Sequence, residues 1–211
     1  MNSIDKDWID MIEGERGKIR EQDLYLKLNR WATTKPFENI LDIGCGQGIC
    51  SQKLELSTNQ YTGIDTSEDL INRATELYGS ANTKFLTADA LDLPFEDDTF
   101  DAVFSISLIH LVEDIDEVIF EMSRVLKPKG RFYIVTAAPS FYDAWEDSYK
   151  ESSLDGKRLV GKRMTSDGTE VEDTLYFHEG EEIYEAIEDA DLEIEDIEPF
   201  RNFIAIRGKK N

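Results

Sequence analysis

Three glycines at alternate positions, Gly44, Gly46 and Gly48, follow directly on the apolar run Asn39-Ile40-Leu41-Asp42-Ile43. Removing side chains just past a strand end lets a ligand come against backbone N–H groups, so the chemistry expected here is close binding. Asp65 closes the next apolar run, where a carboxylate can accept hydrogen bonds from both hydroxyls of a ribose. Each such charge-assisted bond contributes about 1.5 to 3 kcal/mol, and the two features together predict an adenosine-bearing ligand. The GxGxG spacing is one residue tighter than the GxGxxG that seats a pyrophosphate on a helix N-terminus. Asp42 adds a negative group that would repel a pyrophosphate and would suit a sulfonium or an ammonium. A glycine turn alone is ambiguous, because the same pattern also serves to pack a strand against a helix.

The elements that must hold these residues are read from the alternation of short apolar runs with longer amphipathic stretches between residues 38 and 136, the rhythm of βα units around a parallel sheet. Strands are predicted at Asn39–Ile43, Tyr61–Asp65, Lys84–Ala88, Phe100–Ile106 and Gly130–Thr136. Helices are predicted at Ile49–Leu56, Ser67–Tyr78 and Asp114–Leu126, the last with Val118, Met122, Val125 and Leu126 on one side. Thr66-Ser67-Glu68-Asp69 reads as a capping-box helix start, and Pro128 followed by Gly130 ends the third helix. One or two helices are expected over residues 5 to 34. Beyond Thr136 the pattern predicts a short aromatic-rich helix over residues 140 to 152, then a hairpin of Lys157–Met164 and Glu170–His178 around Ser166-Asp167-Gly168. A helix Glu179–Ala190 and strands Leu192–Ile197 and Asn202–Arg207 follow. The expected organisation is one domain over 1–211: an N-terminal helical cap (1–37), a cofactor-binding core (38–136), an insertion or lid (137–178) and a C-terminal helix with strands (179–211).

With these segments in place, the chain resembles the class I S-adenosylmethionine-dependent methyltransferases over roughly residues 38 to 136. The resemblance rests on Ile40-Leu41-Asp42-Ile43-Gly44-Cys45-Gly46-Gln47-Gly48, Gly63-Ile64-Asp65-Thr66-Ser67, Ala88-Asp89-Ala90, the run Leu93 to Asp101, and Leu126-Lys127-Pro128-Lys129-Gly130. It implies an α/β, Rossmann-like fold: a seven-stranded, mostly parallel sheet with the last strand antiparallel and helices on both faces, here with an N-terminal helical cap and a hairpin insertion after strand 5. It also implies that S-adenosylmethionine is the cofactor. Gly44 and Gly46, with Asp42 and Cys45 in the same turn, would line its methionine portion, and Asp65 would hold the ribose. Thr66, Asp89 and Ala90 would border the adenine, while Ser105 would lie under the methionine. Asp89 and Thr66 each have a simpler reading as turn or helix caps. Two positions depart from the family pattern: Lys129 stands where a glycine is common, and Ile109 where many relatives carry a histidine beside His110.

The cofactor carboxylate needs a cation, and Arg20, with Lys18 and Arg16 behind it, is the expected partner, against the plain alternative of a solvated helix face. Methyl transfer from a sulfonium is a direct displacement, so alignment and exclusion of water are the main contributions required of the protein. For an acceptor that must lose a proton, His110 is the candidate base, with a packed histidine as the alternative. Trp8, Phe141, Tyr142, Trp145 and Tyr149 are candidate lid residues over a small organic acceptor, and His178 a candidate wall residue.

Composition narrows the partners. A formal net charge of -22 disfavours nucleic acid and anionic membranes. No long apolar run and no apolar leader stand in the sequence, so a cytoplasmic location is expected. Cys45 and Cys50 match neither a redox pair nor a zinc spacing, so they read as reduced small residues and no metal is expected. The expected activity is methylation of a small-molecule acceptor. The alternatives are a non-catalytic S-adenosylmethionine-binding or interaction module and, third, a nicotinamide-dependent oxidoreductase. Oligomeric state is not legible.

Overall fold

The alternating runs pair into one seven-stranded sheet and a separate three-stranded one. The structure, a computed structural model, describes residues 3–13, 21–33, 36–54, 60–138, 149–200 and 202–211. Its strands are β1 (Asn39–Ile43), β2 (Gln60–Asp65), β3 (Thr83–Thr87), β4 (Phe100–Ile106), β5 (Leu126–Ala137), β6 (Glu151–Asp155), β7 (Arg158–Met164), β8 (Glu170–Tyr176), β9 (Leu192–Phe200) and β10 (Phe203–Lys210). Its α-helices are α1 (Ser3–Glu13), α2 (Leu26–Thr33), α3 (Cys50–Lys53), α4 (Glu68–Tyr78), α5 (Ile115–Val125) and α6 (Gly180–Asp189), with a π-helical turn Glu21–Tyr25 leading into α2. The large sheet has the order β3-β2-β1-β4-β5-β10-β9, and the last strand, β10, runs antiparallel to β5 and β9. The expected fold class is therefore the observed one.

Side chains alternate across this sheet with the period of two that a strand imposes. Leu41, Ile43, Val103, Phe132 and Ile134 pack with α5 and α6 on one face. Ile40, Phe104, Tyr133 and Val135 pack with Leu28 and Trp31 of α2 on the other. Helix α5 begins where Asp114 accepts from the Glu117 N–H at 3.1 Å and buries Val118, Ile119, Met122 and Val125 completely. At α4 the cap is Ser67, whose hydroxyl accepts from the Leu70 N–H at 3.2 Å; Thr66 stays outside the helix. Among the described residues, no helix is long and apolar enough to cross a membrane.

Several boundaries differ from the sequence expectation. Helix α3 covers Cys50–Lys53, and residues 55–59 lie outside the described residues. Strand β5 starts at Leu126, its pairing with β4 interrupted between Phe100 and Ala102. The chain folds tightly there: Lys129 takes φ 64, and a Cβ on Gly130 would stand 2.7 Å from the Lys127 carbonyl. The helix expected over 140–152 is corrected at its end, because Glu151 and Ser152 belong to β6, a third strand on the expected hairpin; 139–148 lie outside the described residues. The cause is Gly156 at φ 60, which turns the chain within two residues so that Asp155 pairs with Arg158.

Candidate functional site

Strands β1 and β4 are neighbours whose connections leave toward opposite edges of the sheet, and at such a point a crevice opens beyond the strand ends. At the end of β1 the chain passes through Gly44 at φ 75, Gly46 at φ 54 and Gly48 at φ 77, each a left-handed conformation that disfavours other residues by about 1–2 kcal/mol. The Gly44 and Cys45 N–H groups both donate to the Ile64 carbonyl, at 2.9 and 2.8 Å, pinning the turn to β2. Both readings of a glycine turn are realised. A Cβ on Gly48 would meet the Phe85 ring at 2.6 Å, so that glycine serves packing. Gly44 instead lies on the wall of a cavity of about 770 Å³.

Asp65 closes β2 on the same wall. Its Oδ2 accepts from the Gly46 N–H and its Oδ1 from the Ser67 N–H, both at 2.9 Å. Burial pushes its carboxyl above the usual carboxylate range, against the pull of those N–H groups. Each oxygen retains accepting capacity, which leaves room for a diol. Thr66, Asp89 and Ala90 also line the cavity. Asp89 makes the turn cap as well, its Oδ1 accepting from the Leu91 N–H at 3.0 Å.

The opposite wall comes from the chain after β4. Ser107, at φ 63, turns it so that Leu108 faces Gly44, and Leu111, Val112, Glu113 and Asp114 continue the lining. Tyr176 of β8 completes it, stacked on His178, whose Nε2 donates to the Val112 carbonyl at 2.8 Å. That bond docks the small sheet on the turn after β4. Among the described residues the wall therefore carries four carboxylates, Asp65, Asp89, Glu113 and Asp114, and no lysine or arginine. Such a wall favours a cationic ligand.

Five expected site residues, Asp42, Cys45, Gly46, Ser105 and His110, stand off this wall, Gly46 being tied to it through its N–H on Asp65. Asp42 is 1% exposed beneath the turn, and its Oδ2 accepts from the Tyr61 hydroxyl at 2.5 Å. Burial, opposed by that bond and reinforced by Asp65, pushes its carboxyl up to about 7. Cys45 is buried against β2, where a Cβ on Gly63 would stand 2.9 Å from its Sγ, and burial holds its thiol well above the ordinary range. Ser105 is fully buried between Ile43 and Ile134, its Oγ without a hydrogen-bond partner among the described residues. His110 is buried in the single turn Ile109–Leu111 and does not line the cavity, although Leu108, Leu111 and Val112 do. Arg16, Lys18, Arg20, Phe141, Tyr142 and Trp145 lie outside the described residues, as does the side chain of Trp8. Tyr149 packs its ring on Gly161 of β7.

The run Leu93 to Asp101 is a brace. Arg124 donates to the carbonyls of Leu93 and Phe95, at 3.0 and 2.7 Å, and pairs with Asp97, while Glu121 accepts from the Leu93 N–H at 2.7 Å. It holds the segment after Asp89 in place. The wall residues that sequence reasoning missed include Tyr176, Leu91, Leu108, Leu111, Val112, Glu113 and Asp114. The last five follow β4 directly, so the signal available was their position past a strand end at the crevice.

A family model described as a methyltransferase domain matches residues 41–134. The chain is 34% identical over 120 residues to a fatty-acid O-methyltransferase of Mycolicibacterium smegmatis, covering 56% of this chain and 44% of that protein. It is 32% identical over 160 residues to a demethylmenaquinone methyltransferase of Staphylococcus aureus, covering 72% and 66%. The chain spans about half the length of the first curated relatives it matches. The crystal structure of a Pyrococcus horikoshii OT3 protein superposes with a TM-score of 0.85 at 22% identity, covering 100% of both chains.

Proposed function

We infer that this chain, which belongs to the class I S-adenosylmethionine-dependent methyltransferase family, transfers a methyl group from S-adenosylmethionine to a small-molecule acceptor. The observation that carries the reading is the left-handed turn of Gly44 and Gly46 bonded through the Gly46 N–H to Asp65, on a wall of carboxylates. Bound there, the cofactor supplies an electrophilic methyl: the acceptor's lone pair forms the new bond, and the sulfur keeps the old bonding pair and loses its charge. Asp65 would hold the ribose, Thr66, Asp89 and Ala90 the adenine edge, and Gly44, Gly46 and the backbone at Cys45 the methionine. Asp42 and Ser105, both buried, would support the turn and β4 from beneath. Arg20 is assigned to the cofactor carboxylate.

For an acceptor that loses a proton, His110 is the assigned base; otherwise alignment suffices. The apolar wall of Leu108, Leu111 and Val112 with Tyr176 supports a small, partly apolar acceptor. The fatty-acid and demethylmenaquinone enzymes among the relatives support the same class. The net charge of -22 disfavours nucleic acid and anionic lipid as partners.

The test is calorimetric binding of S-adenosylmethionine, followed by measurement of S-adenosylhomocysteine formed with a fractionated metabolite extract. Binding with acceptor-dependent product is expected. No binding overturns the reading, and binding without product in any fraction identifies a non-catalytic module.

A further inference from the structure

The sheet of β6, β7 and β8 stands apart from the seven-stranded one, yet it puts one side chain, Tyr176, on the cavity wall. What holds that ring there is local. Tyr176 ends β8 and His178 follows two residues on, their rings stacked with centroids 6.4 Å apart at 21°. His178 is 8% exposed and bonds through Nε2 to the Val112 carbonyl at 2.8 Å. A carbonyl only accepts, so Nε2 carries the proton. The backbone on either side is fixed as well: the Phe177 N–H donates to the Lys157 carbonyl at 2.7 Å, and the Glu179 N–H to the Glu182 carboxylate at 3.0 Å. His178 does not line the cavity itself, whereas Tyr176 and Val112, which it joins, both do.

The cofactor contacts assigned above leave this stretch of wall unused. It offers Leu111, Val112 and the Tyr176 ring as apolar bodies, with Glu113 and Asp114 beside them. Among the described residues no lysine or arginine lines the cavity, so a free carboxylate entering here would meet repulsion and find no partner. A neutral or cationic aromatic ring fits better, since ring pairs gain stabilisation beyond the area they bury and a cation is attracted to a ring face. We propose that the acceptor is an aromatic compound without a negative charge and that Tyr176 is the residue that discriminates it. His178 is then the positioning residue that holds Tyr176 at the wall through Val112. The proposal rests on the methyl-transfer reading above and names the acceptor class for that site.

The experiment is calorimetric binding of two probes, 2-naphthol and decanoate, to protein saturated with S-adenosylhomocysteine, in wild type and in variants at the two positions. Wild type is expected to bind 2-naphthol at least about 10-fold more tightly than decanoate. Tyr176→Ala is expected to weaken 2-naphthol by about 10-fold, and Tyr176→Phe, which keeps the ring, by less than about 2-fold. His178→Phe keeps a ring against Tyr176 but has no donor for Val112, and a loss of about 5-fold is expected. His178→Gln supplies a donor again and is expected to come within about 2-fold of wild type. Across the series S-adenosylhomocysteine is expected to bind within about 2-fold of wild type, which a general loosening of the fold would not allow. Decanoate bound as tightly as 2-naphthol, or 2-naphthol not bound by wild type, overturns the acceptor class. No loss in Tyr176→Ala or in His178→Phe, or losses shared equally by S-adenosylhomocysteine, overturns the residue assignments. If Tyr176→Ala fails to fold, Tyr176→Leu removes the ring and keeps the apolar bulk, with a loss of about 5-fold for 2-naphthol expected. Wild type that does not bind S-adenosylhomocysteine refutes the cofactor reading itself, a result distinct from the others.

Discussion

Buried beneath the glycine turn, Asp42 shares its surroundings with Ile40, Phe104 and the Tyr61 ring rather than with water. Burial is the largest influence on it, the Tyr61 hydroxyl bond works in the other direction, and Asp65 adds repulsion, so the carboxyl sits at about 7 against 3.8 when free. A carboxyl raised on folding stabilises the folded state fully below its unfolded value, and that contribution disappears as pH rises through the folded one. Three units at about 1.36 kcal/mol each make this roughly 4 kcal/mol between pH 4 and pH 8. Asp42→Asn keeps an acceptor for Tyr61 and carries no charge to bury. In urea unfolding followed by circular dichroism, it is expected to exceed wild type by about 2–4 kcal/mol at pH 8 and to match it near pH 3, below the unfolded value. Equal stability at pH 8 would mean that Asp42 reaches water.

Helix α1 is held by polar contacts at both of its sides. Toward α4, Asp5 accepts from the Ser67 hydroxyl at 2.8 Å and Glu13 pairs with Arg73. Toward the small sheet, Asp7 accepts from the Ser166 N–H at 2.8 Å and pairs with Arg163, which also pairs with Asp173. Partial burial opposes ionisation of Asp7, but the Ser166 N–H and Arg163 outweigh it and hold the carboxyl below 3.8. A depressed carboxyl stabilises above its unfolded value, and that stability is lost as pH falls through the folded one. Arg163→Met therefore removes at pH 7 part of what acid removes below the free value of 3.8. Hydrogen exchange is expected to show α1 about 30-fold less protected, an opening about 2 kcal/mol easier, with β1 and β4 unchanged. Unchanged protection of α1 would show that its contacts toward α4 and its apolar side, Ile9 included, hold it without Arg163. At this scale the sequence was legible where burial imposes a period. Strands β1, β2 and β4 and helices α4 and α5 fall within one or two residues of expectation, since the strands are short apolar runs covered on both faces and each helix buries one side. Strand β6 was not, because all five of its residues are exposed and leave no alternation to read. The site divides in the same way. Gly44, Asp65 and Asp89 are set by their own strand ends, whereas Tyr176 reaches the wall only because His178 docks a distant sheet on Val112.

The whole molecule carries a formal charge of -22, and the cavity concentrates that field, with four carboxylates on a partly apolar wall. A negative cleft with low-dielectric walls focuses potential on whatever enters. In the proposed reaction the entering ligand bears a sulfonium and an ammonium against one carboxylate, while the product has lost the sulfonium charge. The field therefore discriminates between them, favouring the loaded cofactor and releasing the spent one. Salt screens this discrimination, since the Debye length falls from about 30 Å at 0.01 M to about 8 Å at 0.15 M. Between about 0.01 and 0.5 M sodium chloride, binding of S-adenosylmethionine is expected to weaken by about 3- to 10-fold, and binding of S-adenosylhomocysteine by less than about 2-fold. Calorimetric titration of both ligands across that range checks it. Salt dependences that run in parallel would place the discrimination in short-range contacts instead. The same screening relieves self-repulsion across the surface, so the unfolding midpoint of the ligand-free protein is expected to rise over the range in which cofactor affinity falls.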